Sequence, residues 1–206
     1  VDARDAWVAL RWRDMHLALA TDAQKAERDR VTHAAWGSPL TVEQFHQREL
    51  RLRGHAWCRE GMRTWLWLDD AGRVLASCET FHTDSYLRGP DGESTHGVSQ
   101  AIASVFTESA LRGHGYATRL MDALASRLEQ ESANHHAALL FSDVGAALYR
   151  RSGYHEAPAW DWHLSAVGGL STHAVDALLC DGDVPQVMAR IQRPDVPFLL
   201  WPSAAQ

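Results

Sequence analysis

Lysine is almost missing from this chain of 206 residues: Lys25 is the only one, and arginine carries the rest of the positive charge. Cysteine is scarce too. Cys58, Cys78 and Cys180 are odd in number and lack metal-type spacing, which argues against a disulfide framework and a structural zinc site. No apolar run is long enough to cross a bilayer, and no charged-then-apolar leader opens the sequence. Nor is there the positive excess that nucleic-acid phosphates require, since the formal net charge is -6. These absences predict a cytoplasmic protein with no nucleic acid, membrane or metal among its partners. The acidic balance favours a cationic ligand instead.

What is present is an ordinary globular composition, 46% hydrophobic and 22% charged, with length enough for a single domain over residues 1–206. The order of elements is α/β. Residues 17–20 predict a short first strand. Residues 23–36 predict a helix with Ala26, Val31, Ala34 and Ala35 on its apolar side, stopped by Gly37-Ser38-Pro39. Thr41, with Gln44 three residues on, is a capping box for a second helix whose apolar side would be Phe45, Leu50, Leu52 and Trp57. Residues 63–68 and 73–81 predict two strands joined by a hairpin turn at 69–72. Residues 83–97, containing Gly89-Pro90-Asp91-Gly92, read as a long surface loop. A strand follows at 98–107, then a helix marked by Ala117, Leu120, Met121, Leu124 and Leu128. Residues 137–141 predict a buried strand, with Ser142 or Asp143 capping a short helix that ends near Gly153. Residues 160–164 and 198–201 are candidate last strands with a helical segment between them.

The chemistry-bearing segment joins a strand to a helix through Arg112-Gly113-His114-Gly115-Tyr116-Ala117. Glycines permit close backbone approach, the helix start offers unpaired N–H groups and a positive dipole end, and Arg112 adds a guanidinium. Such a loop suits a diphosphate. A nucleotide P-loop is excluded because no Gly-Lys-Ser/Thr follows, and a dinucleotide fingerprint lacks its third glycine and downstream acid. The pattern resembles motif A of the GNAT superfamily of N-acetyltransferases, Arg/Gln-x-x-Gly-x-Gly/Ala, met by Arg112, Gly115 and Ala117. Residues 139–154, which carry Leu148-Tyr149 before Gly153-Tyr154, resemble motif B of the same superfamily. Residues 77–81 and 141–145 are most similar to fungal lysine N-acetyltransferases and their bacterial relatives.

The resemblance implies a fold: a mixed, mostly antiparallel central sheet with splayed strands, flanked by helices. It implies acetyl-CoA as co-substrate, with no metal. Ser104, Val105, Phe106 and Thr107 would then pair with pantetheine. Arg112, Gly113, His114, Gly115, Tyr116 and Ala117 would hold the pyrophosphate, and Ser142 joins this cofactor-binding set. Tyr149 matches the family tyrosine that protonates the departing thiolate.

An ammonium acceptor must lose a proton before attack, so a base is expected. Glu79 shares one face of its strand with Ser77 and Phe81, while Val74, Ala76 and Cys78 take the other. Glu108 is the second candidate, His82 and His96 are imidazole alternatives, and a water relay would need no unique base. The acceptor site would lie between the first two helices, the 83–97 loop and the C-terminal strands. Trp36, Glu79, His82 and Asp84 are its candidate substrate-binding residues. Trp57, Trp65, Trp67, Trp160 and Trp162 are further candidates for an aromatic wall, and Asp91, Glu93 and Asp161 for negative charge.

The expected reaction is direct acetyl transfer to a primary amine of a small cationic molecule. An aminoglycoside-type antibiotic, kasugamycin-like aminosugars included, is the leading acceptor, with acetylation conferring resistance. Free lysine or a related amino acid comes second, and a protein tail third. A non-catalytic acyl-CoA sensor is the alternative of another class, opposed by the intact Tyr149. Many relatives form homodimers, although no segment here marks an interface.

Overall fold

The computed structural model describes residues 15–131, 134–158, 182–191 and 196–201. Two capping boxes start its first helices. Thr21 Oγ1 accepts the Gln24 N–H at 3.3 Å while Gln24 Oε1 accepts the Thr21 N–H at 2.9 Å. Thr41 and Gln44 repeat the exchange at 3.2 and 2.9 Å. Each box satisfies two orphan donors and contributes about 1 kcal/mol. The helices are α1 (Asp22–Trp36) and α2 (Val42–Gly54), followed by a separate short α3 (Ala56–Gly61).

The predicted apolar sides of these helices are not their buried sides. Ala34 and Ala35 of α1 are exposed, whereas Asp29 and Thr32 are buried. On α2 only Phe45 is buried, Leu50 and Leu52 are exposed, and Trp57 belongs to α3. These helices turn polar residues inward because they cover a polar cavity rather than a hydrophobic core.

Strands β1 (His16–Leu19), β2 (Met62–Leu68), β3 (Val74–Arg88), β4 (Ser94–Phe106) and β5 (His135–Leu140) follow one another across the sheet. Among the described residues only the β4–β5 pair is parallel, and a short β6 (Phe198–Leu200) pairs antiparallel with Ser85, Tyr86 and Leu87 of β3. The sheet is therefore mixed and mostly antiparallel. Helix α4 (Tyr116–Glu131) lays Leu120, Met121, Leu124 and Leu128 against Trp65, Trp67, Leu75 and Ile102. This stripe at helical spacing forms the core. Helix α5 (Ala146–Arg150) adds Tyr149 to it, and α6 (Val184–Arg190) lies outside it.

Residues 83–97 are not a loop. The β3–β4 register runs unbroken from Thr83↔Ser99 to Arg88↔Ser94, leaving only residues 89–93 to turn. Period-2 burial persists through this ribbon, but its inward residues are polar. Ser99 Oγ donates to Ser85 Oγ at 2.9 Å, and the Ser85 hydroxyl meets His136 Nδ1 at 3.0 Å. A strand whose inner face is Thr and Ser carries little hydrophobic alternation for a sequence pattern to register. Two smaller differences occur around β5. Its residues are half-buried rather than buried, and Phe141 beyond its end is 83% exposed. The N-cap of α5 is Gly145, not Ser142 or Asp143, and the Ser142 hydroxyl instead accepts the Val144 N–H at 3.1 Å. The predicted strand at 160–164 lies outside the described residues, with Trp160, Asp161, Trp162 and Cys180.

Candidate active site

The parallel β4–β5 pairing ends at Ile102↔Leu140, while β4 continues to Phe106. Ala103, Ser104, Val105 and Phe106 therefore have β3 on one side and no β5 ladder on the other. On the β3 side, Ser77 pairs with Phe106 and Glu79 with Ala103, so β4 spends one residue more than β3 over that interval. The extra residue is accommodated at Ser104, whose φ of 54° lies in the left-handed region. Such a bulge in a non-glycine residue bends the strand away from its neighbour and occurs where the backbone is re-aimed.

The strand delivers the chain into a turn at Ser109–Leu111, then to Gly113 and Gly115 at φ of 81° and 77°. The first hydrogen bond of α4 runs from Arg119 N–H to Gly115 O, so the amides before it point out of the helix end. Arg112 Nε donates to Thr107 O at 3.0 Å, and the His114 ring stacks on Tyr116 with centroids 5.7 Å apart. Thr107 Oγ1 is buried without a hydrogen-bond partner among the described residues. A loop of outward amides, two left-handed glycines and an orphan hydroxyl fits an anion at this end of the gap. Across the gap, Phe141 and Val144 are exposed at 83% and 78%. Ser142 Oγ donates to Tyr149 Oη at 3.4 Å, placing the Tyr149 hydroxyl at the open end of β5.

On the face under α1 and α2 lies a cavity of about 390 Å³, floored by Thr64, Ser77, Glu79 and Ser104. Arg28, Trp36, Arg48 and Glu49 form part of its wall. Glu79 reaches it from β3 and accepts the Ser104 hydroxyl at 2.7 Å. Burial raises the Glu79 carboxyl above its ordinary pKa. The Ser104 hydrogen bond opposes that shift, Glu49 adds to it, and Arg53 and Arg28 reduce it. This is the environment of a carboxylate poised to take a proton. Burial pushes the neighbouring Cys78 thiol far up, which disfavours its thiolate form. In the same wall, Asp29 accepts both guanidinium arms of Arg53, at 2.9 and 2.5 Å, and meets His46 Nδ1 at 2.7 Å, which ties α1 to α2.

Of the predicted base and acceptor residues, the cavity brings together Trp36 and Glu79. Glu108 is exposed at the start of the 109–111 turn and does not line it. His82 and His96 are exposed, and Asp84 bonds His96 at 3.2 Å, farther along the ribbon. Trp65 and Trp67 are core residues, and Trp57 stacks on Phe81 at 5.5 Å. Asp91 and Glu93 sit in the ribbon turn. Arg28, Thr32, Arg48, Glu49 and Ser77 were not anticipated. Arg28, Thr32 and Trp36 recur every four residues, a stripe that an apolar periodicity passes over.

The model of the acetyltransferase (GNAT) family matches residues 28–154, which span both the cavity helices and the gap. The chain belongs to that family. The GNAT family uses acetyl-CoA as its acetyl donor, and the gap, loop and orphan groups above fit that cofactor. A curated relative called lysine acetyltransferase, from Yarrowia lipolytica, is 33% identical over 97 residues, covering 46% of this chain. The match spans about a quarter (24%) of that relative's length. Among solved structures, a predicted acetyltransferase with acetyl-CoA from Clostridium acetobutylicum superposes with a TM-score of 0.53 at 18% identity, over 73% of this chain and 96% of its own. Glucosamine-6-phosphate N-acetyltransferase from Arabidopsis thaliana does so with 0.50 at 14% identity, over 73% and 97%. Both are GNAT folds, and the likeness extends to fold alone. Among the described residues no helix is long and apolar enough to cross a membrane.

Proposed function

We propose that this GNAT domain transfers the acetyl group of acetyl-CoA directly to a primary amine of a small molecule, with Glu79 as base and Tyr149 as acid. The observation that carries this reading is the junction at Ser104. One bulged residue both opens β4 toward the cofactor gap and hydrogen-bonds the cavity carboxylate. When bound, acetyl-CoA supplies the activated thioester. Glu79 takes the ammonium proton of the acceptor, backbone N–H groups of the opened β4 segment orient and polarise the acyl carbonyl, and Tyr149 Oη gives a proton to the departing sulfur. Ser104, Val105, Phe106 and Thr107 would receive pantetheine. Arg112, Gly113, His114, Gly115, Tyr116 and Ala117 would hold pyrophosphate, with Ser142 steadying Tyr149.

For the acceptor, likeness to a relative named lysine acetyltransferase favours free lysine or a related amino acid. An aminoglycoside-type aminosugar, with a resistance role, is the second reading; the net charge of -6 and Trp36 at the cavity favour it. A CoA-release assay over aminoglycosides, lysine, polyamines and peptides tests the proposal. Turnover of a small amine supports it. Acetyl-CoA binding with no turnover of any amine would establish a sensor instead.

A further inference from the structure

The charged groups around the cavity are not equally served. Asp29 is held by Arg53 and His46, and Arg48 by Glu49 at 2.6 Å. Arg28 has no ion pair and no side-chain hydrogen bond among the described residues. Its guanidinium instead stands 5.1 Å from the centroid of the Phe106 ring, which Trp36 meets edge-on at 5.5 Å. Burial lowers the Arg28 pKa, and Glu79 and Glu108 act against that shift, yet a guanidinium keeps its proton in any protein setting. A half-buried guanidinium held against an aromatic ring, with no carboxylate on its N–H fork among the described residues, keeps that fork available to an anion.

A second donor in the same cavity is also idle. Ser77 is 1% exposed, lies on the Glu79 face of β3, and its hydroxyl has no hydrogen-bond partner among the described residues. Buried hydroxyls are almost always satisfied, so this one marks a place where a ligand atom completes the site.

We infer that Arg28 receives a carboxylate carried by the acceptor, with the Ser77 hydroxyl as a further donor to the bound acceptor, so that the substrate is an amine bearing an anionic group. The planar fork of arginine matches a carboxylate with two parallel hydrogen bonds. The acceptor's amine then faces Glu79 while its carboxylate faces Arg28, and a purely polycationic amine meets an unscreened positive charge. This assignment rests on the acetyltransferase reading of the cavity and deepens it to a substrate class.

Matched amines that differ only in the carboxylate test it: lysine against cadaverine and ornithine against putrescine, in steady-state acetylation and in titration calorimetry on the protein–CoA complex. For at least one pair, the carboxylated member should bind and react at least about tenfold better. Arg28→Met should collapse that ratio to near one, Arg28→Lys should recover part of it, and acetyl-CoA affinity should hold in both. Equal or reversed preference in every pair, or acetylation confined to amines without a carboxylate, overturns the inference while leaving the acetyltransferase reading intact. Loss of acetyl-CoA affinity in Arg28→Met that matches the loss of acceptor binding overturns it too, by assigning Arg28 to the cofactor. Silence of every amine despite acetyl-CoA binding defeats the acetyltransferase reading itself, and this inference with it.

Discussion

At Glu79 two influences oppose each other: burial disfavours the carboxylate, and the Ser104 hydroxyl, 2.7 Å away, favours it. The sign of a Ser104→Ala change follows. Losing the hydrogen bond raises the Glu79 pKa further, so the acidic limb of kcat/KM should move to higher pH. A pH–rate profile checks this, and a limb that stays put or moves down contradicts it. Tyr149 is placed by a different pair of contacts. Its ring is in the core with Tyr154 edge-on at 6.2 Å, and its hydroxyl meets Ser142. Tyr149→Phe keeps the ring and removes only the proton donor. We expect kcat to fall about 100-fold with acetyl-CoA affinity unchanged, measured by steady-state kinetics alongside calorimetry. An unaltered kcat would remove Tyr149 from the chemistry.

Among the elements, the loop between β4 and α4 was legible in the sequence because its requirements are local: glycines where φ is positive, and a helix start directly after them. An added Cβ at Gly115 meets no atom within 4 Å among the described residues. The cost of Gly115→Val is therefore conformational, at a φ of 77°, together with the space it would take in the proposed cofactor site. It should lose about tenfold or more in acetyl-CoA affinity, since a left-handed non-glycine residue costs on the order of 1–3 kcal/mol. Titration calorimetry tells, and wild-type binding would sink the loop assignment. The β3–β4 ribbon was illegible for the opposite reason. Its inner face is Thr83, Ser85 and Ser99, and its glycine-proline turn drew the whole stretch into a loop. The cavity face of α1 was hidden in the same way, with Arg28, Thr32 and Trp36 at helical spacing but no apolar character in common.

Across the whole molecule, the two halves of the proposed site meet along one strand. In the proposed reaction β4 offers its open edge to the cofactor and, through Ser104 and β3, its other side to the acceptor. Sequence could propose a cofactor half, because its candidate residues are contiguous. It could name Glu79 for the acceptor half, but not the wall, because α1, α2 and β3 meet there only on folding. Binding at such a junction should stabilise the fold by mass action. Acetyl-CoA at about 100 times its Kd adds about 2.7 kcal/mol. In a domain of this size that corresponds to a rise in Tm of about 5–10 °C. Thermal denaturation with and without acetyl-CoA reads it directly, and a flat Tm would speak against a cofactor site.

The central claim is that the carboxylate hydrogen-bonded to the bulged residue of β4 takes the acceptor's proton. Glu79→Gln preserves size and a hydrogen-bond acceptor for Ser104 while removing the base. With saturating acetyl-CoA and the best amine from the panel, its kcat should fall about 100-fold, with acetyl-CoA affinity intact and the acidic limb of the pH profile gone. A kcat equal to that of the unaltered chain would contradict the account.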